Sequence, residues 1–150
     1  MQQNIATELT QFIKHSPSAF HAVDTMKKKF LSNGYSALSE NQRWNLPTGG
    51  HYFVTRNDSS IIAFSIPSNG FDGMRIMASH SDSPSFKIKE NPEMEVEKHY
   101  IKLNVERYGG MIFAPWFDRP LSVAGRVIVK NPSTGKLESR LVNVDRDLVM

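Results

Sequence analysis

"RIMASHSDSPSF", residues 75–86, carries an apolar run straight into His-Ser-Asp-Ser-Pro. Side chains alternate along a strand, so Met74, Ile76 and Ala78 are expected on one face and Arg75, Met77 and Ser79 on the other. The strand should stop near Pro84. The same alternation, carried slightly further, puts His80 and Asp82 at its carboxyl end, the edge where open α/β sheets bind ligands. A metal-bound imidazole offers one ring nitrogen to the metal and needs an acceptor for its other N–H. His-x-Asp supplies both in three residues. The same letters also suit a polar turn, with Asp82 making an Asx turn towards Pro84. The pattern alone leaves both readings open.

A catalytic zinc usually takes three protein ligands. His15, His21, His51 and His99 form no HExxH and no i, i+4 pair, and no two glutamates are adjacent. If His80 binds metal, its companions are expected outside this chain or in another subunit. Glu93, Glu95 and Glu97 alternate along the chain and read as a solvated surface.

Upstream of this stretch, Ile5, Leu9, Phe12 and Ile13 recur at helical spacing, and Ser16-Pro17 ends that helix. Ser18 is placed to cap a second helix, whose face carries Phe20, Val23, Met26 and Phe30 and which Gly34 closes. Residues 35–38 fit a short strand. His51 to Arg56 and Ile61 to Ile66 flank Asn57-Asp58-Ser59, a hairpin with a short loop. Downstream, "KIKENPEMEVEKHY" is charged and lacks a helical period. Ile101, Leu103 and Val105 alternate with polar residues as a half-buried strand. "LSVAGRVIVKN" is a further strand, and Asn131 to Gly135 turns into a returning one. Helix and sheet mix in the first part and strands dominate afterwards, so a boundary is expected near residues 87–92, dividing the chain into 1–89 and 90–150.

At 150 residues the chain is long enough for one domain with a core, or for part of a longer protein. Hydrophobic residues at 39% and charged ones at 22% argue against disorder. No apolar run is long enough to span a membrane, and the first residues lack the pattern of a secretory signal. There is no cysteine, which excludes disulfides and thiolate metal sites and fits a cytoplasmic protein. The net charge of +3 raises nucleic-acid binding, but Lys27, Lys28 and Lys29 fan around a helix and Arg-Tyr-Gly-Gly occurs once, without repeats. Neither nucleic acid nor membrane is an expected partner.

Five blocks, "FIKHSPSAFHAV", "GGHYFVTRNDSSIIAFSI", "ASHSDSPSFKIK", "YIKLNVERYGG" and "WFDRPLSVAGRVIVK", occur in the order and at the separations of the aspartyl aminopeptidase family of zinc exopeptidases. The resemblance runs from about Leu9 to Asp147. The family's usual central block is His-Thr-Asp-Ser-Pro; Ser81 stands here for the threonine. The resemblance implies an α/β fold: the start of a three-layer catalytic domain, followed by the start of a β-rich insert that builds dimers and, from them, a dodecamer. It implies a cytoplasmic enzyme that removes N-terminal Asp or Glu from peptides with a two-zinc site. By the same resemblance His80 is a zinc ligand and Asp82 the acid that orients it. The other ligands and the catalytic glutamate correspond to positions that would follow Met150, so the chain alone is expected to be inactive, with exposed apolar faces that favour self-association. The insert's histidine that reaches a neighbouring active site has no counterpart in His99. Asp118 and Arg119 read as a local ion pair beside Trp116. The rival reading is a non-catalytic assembly module on the same scaffold, which forms oligomers without binding zinc tightly.

Overall fold

The first helix, α1 (Ile5–Lys14), starts where the Asn4 side chain accepts the Ala6 N–H at 3.1 Å. The second, α2 (Ala19–Ser32), starts at Ser18, whose Oγ accepts the His21 N–H at 3.4 Å and lies 2.8 Å from His21 Nδ1. It ends as expected at Gly34, whose φ of +79° is the left-handed conformation that favours glycine. The Gly34 N–H then reaches Leu31 O and the Tyr35 N–H reaches Phe30 O, the paired bonds of a Schellman cap. These observations come from a computed structural model, which describes residues 4–70 and 72–146.

The chain turns from α2 into β1 (Ser36–Leu38), which pairs in parallel with β2 (His51–Arg56). β3 (Ser60–Ser65) returns antiparallel beside β2, so the order is β1-β2-β3. Tyr52, Phe53 and Val54 are all buried, which places β2 at the centre with both faces covered. On one side α2 contributes Ala22 and Val23, and Phe30 stacks on Phe53 at 5.9 Å between ring centroids. Tyr52 packs on Phe64 at 5.7 Å, and Trp44 lies 6.4 Å from Phe64. The β2–β3 turn holds Asn57 and Asp58 at φ of +52° and +51°, a conformation their short polar side chains tolerate.

Next come β4 (Ser85–Val96) and β5 (Tyr100–Tyr108), an antiparallel pair whose register breaks between Ile88 and Glu93. Pro92, which has no N–H for a ladder, sits in that break, and the Asn104 side chain donates to Asn91 O at 3.2 Å. The single-turn α3 (Ala114–Phe117) brings Trp116 edge-on to Phe86 at 5.6 Å and Phe117 parallel to Phe113 at 6.0 Å. Asp118 and Arg119 form the expected local ion pair at 3.3 Å. A last hairpin joins β6 (Ala124–Lys130) to β7 (Leu137–Asn143) through an Asx turn, with Asn131 Oδ1 accepting from the Ser133 and Thr134 N–H groups.

The chain forms two units. One comprises the residues up to Asp82 together with Val123–Asp145; the other comprises Ser83–Ser122. The hairpin β6–β7 joins the first unit because the Arg126 guanidinium lies 4.2 Å from the centre of the Phe20 ring and donates to Asn57 O at 2.9 Å. In this division the first unit ends at Asp82 and resumes at Val123.

The expected strand over residues 74–78 does not form. Residues 73–84 have no regular secondary structure, and Met74, Ile76 and Met77 are 78%, 81% and 99% exposed. The alternation is real, but a strand needs a ladder partner. Among the described residues β3 pairs only with β2, and nothing pairs with residues 74–78.

Candidate metal centre

His80 and Asp82 meet through the loop rather than along a strand. His80 Nδ1 lies 2.7 Å from the main-chain oxygen of Asp82 and 3.2 Å from its Oδ1. A carbonyl oxygen only accepts, so Nδ1 must carry the hydrogen. In the neutral ring the lone pair then sits on Nε2. That is the tautomer a metal-binding imidazole needs when its other nitrogen is held by an acceptor. The His80 side chain is 80% exposed, so an ion reaches it without displacing packed residues. Between the two, the Ser81 hydroxyl donates to Ser59 O at 3.2 Å, which ties the loop to the β2–β3 turn.

Three of the other histidines have local work. His15 Nδ1 donates to Gln11 O at 2.7 Å, at the end of α1. His21 sits in the cap of α2, where burial pushes its pKa down, against the pull of Asp24 and with a smaller push from Lys28. His51 Nδ1 is 2.7 Å from Ser65 Oγ across the sheet. Among the described residues no three His, Asp or Glu side chains converge as a metal cage. The chain thus fits zinc through one imidazole and an adjacent acid, with the rest of any coordination sphere supplied from elsewhere. Away from this loop, the Arg56 guanidinium holds the Glu40 carboxyl below the usual range through hydrogen bonds of 2.6 to 3.3 Å. No helix among the described residues is long and apolar enough to cross a membrane.

The Ser81 bond to Ser59 O was not foreseen; its one mark in the sequence is a hydroxyl where the family's usual threonine also carries one.

Residues 12–150 match the family described as Aminopeptidase I zinc metalloprotease (M18). The "Probable M18 family aminopeptidase 2" of Clostridium novyi (strain NT) is 49% identical over 148 residues, which is 97% of this chain and 34% of that protein. Among solved structures, mApe1 of Chaetomium thermophilum superimposes with a TM-score of 0.89 at 40% identity, covering 94% of this chain and 33% of the other. The mApe1 dodecamer of S. cerevisiae superimposes at 0.84 with 27% identity, covering 95% and 34%. The chain spans about a third of the length of the curated relatives it matches.

Proposed function

The chain belongs to the Aminopeptidase I zinc metalloprotease (M18) family, and from that premise we propose that it is the amino-terminal portion of a cytoplasmic zinc aminopeptidase. Its substrates are peptides that begin with Asp or Glu. His80 holds one of two zinc ions through Nε2, and Asp82 keeps the ring in the required tautomer. When bound, zinc polarises the scissile carbonyl and lowers the pKa of a bound water. The chain's own contribution is to present one neutral imidazole and fix its orientation. Residues 1–89 open the catalytic domain, and residues 90–150 open the insert through which copies of the protein assemble into a homo-oligomer. The observation that carries this reading is the His80 Nδ1 contact with Asp82, at 2.7 Å to the carbonyl and 3.2 Å to the carboxylate.

The test is a kinetic panel on the protein expressed from its whole reading frame. Peptides that differ only in their first residue are compared by kcat/KM. Asp and Glu should lead Ala, Leu and Lys, and turnover should vanish with a chelator and return with zinc. A preference for an apolar or basic first residue sinks the acidic specificity; turnover indifferent to chelation sinks the metal reading. The rival, an assembly module without catalysis, draws on the lack of a three-ligand cluster among the described residues. It requires a stable oligomer that turns over none of these peptides.

A further inference from the structure

We propose that the β2–β3 turn, residues 57–59, is the platform that positions His80, and that Ser81 is its tether. The inference rests on the zinc-ligand reading of His80.

The three residues of the turn are held from three sides. Arg126 of β6 donates to Asn57 O at 2.9 Å and to Asn57 Oδ1 at 3.2 Å. Lys27 of α2 pairs with Asp58 at 3.4 Å. Ser81 donates to Ser59 O at 3.2 Å. The first two attach the turn to packed elements, and the third attaches the His80 loop to the turn. Two consecutive left-handed residues, Asn57 and Asp58, give the turn a defined shape, closed by the Ser59 N–H to Arg56 O bond of 3.2 Å.

The Ser81 bond acts on a different degree of freedom from the His80–Asp82 contact. The His80 ring is bonded to Asp82, two residues away, so that contact travels with the loop. It sets the ring's tautomer and its angle to the loop, but not the loop's place relative to the sheet. Residues 73–84 have no ladder hydrogen bonds to do so. The Ser81 hydroxyl, half-buried and between ligand and orienting acid, joins the loop to the sheet's turn. Ser81 touches neither metal nor substrate in this account; it is a positioning residue. The family's usual threonine offers the same donor, so Ser81→Thr is the conservative change and Ser81→Ala the disruptive one.

The experiment uses the protein expressed from its whole reading frame, stripped of metal and titrated with cobalt(II) against a competing chelator. Affinity and the visible spectrum of bound cobalt are read together, with thermal unfolding of the metal-free protein alongside. Ser81→Ala should weaken the His80-dependent cobalt site about fivefold, the worth of one neutral hydrogen bond, and alter its visible band. Metal-free stability should hardly move, and Ser81→Thr should bind as wild type does. Arg126→Gln, which loosens the same turn from its other side, should shift affinity in the same direction and decides the matter if Ser81→Ala does not fold. Wild-type cobalt binding in Ser81→Ala, with His80→Ala still losing its site, overturns the tether alone. A wild-type protein whose cobalt binding does not depend on His80 overturns both the tether and the ligand reading beneath it.

Discussion

Replacing Asp82 by asparagine separates two functions that the loop geometry combines. The nearer acceptor to His80 Nδ1 is the main-chain oxygen of residue 82 at 2.7 Å, which any residue there retains. The carboxylate is the farther one, at 3.2 Å. Asparagine therefore keeps the acceptor that fixes the tautomer and loses the negative charge that makes the imidazole a stronger donor to metal. Losses of acids that orient a metal-binding histidine cost roughly 10- to 100-fold in metal affinity or activity. With the tautomer still held by the backbone, Asp82→Asn should fall at the low end, about tenfold in zinc affinity. His80→Ala should abolish the same site. Competition between zinc and a fluorescent chelator, run on wild type and both variants of the whole protein, reads the difference directly. Affinity in Asp82→Asn equal to wild type makes the carboxylate a turn-former only. Loss as complete as in His80→Ala refutes the division of labour, because the carbonyl would then be holding nothing.

Other outcomes follow from the packing. Phe53 is 2% exposed at the centre of β2, so Phe53→Ala should destabilise the first unit by about 3–5 kcal/mol, measured by urea unfolding. A methyl group at Gly50 would fall on the ring and hydroxyl of Tyr52, which is itself buried; Gly50→Ala should cost about 1–3 kcal/mol in the same assay. Burial holds the His21 imidazole below its ordinary value of about 6.5. A depressed pKa contributes stability that is fully present above the unfolded value and is lost as pH falls from about 6.5 through the folded one. Stability of the wild type should therefore drop over that window, and His21→Gln should flatten the drop; an unchanged acid limb would show that His21 does not drive it.

Most local structure was legible because it is written in short-range chemistry. Ser18 and Gly34 bracket α2 as read, and the Asn57-Asp58-Ser59 loop closes the expected hairpin. Other features depend on distant partners and left no local mark. The 74–78 alternation had the period of a strand, yet period alone supplies no partner for the ladder. The return of β6–β7 to the first unit depends on Arg126 finding Phe20 and Asn57, residues far away in sequence. The stretch "KIKENPEMEV" hid its strand because a bulge at residues 89–92 interrupts the alternation there. At the candidate site the residue types were readable and the route between them was not. His80 and Asp82 were expected to meet as same-face neighbours on a strand, and they meet through a backbone carbonyl in a loop. The role proposed for Ser81 depends on Ser59, 22 residues away in sequence, and so leaves no local mark.

The central claim is that His80 is a zinc ligand. Metal analysis of the protein from its whole reading frame, purified in parallel as wild type and His80→Ala, tests it most directly. The account predicts that the variant stays folded and loses the zinc of one site. Equal zinc content in the two proteins would contradict it.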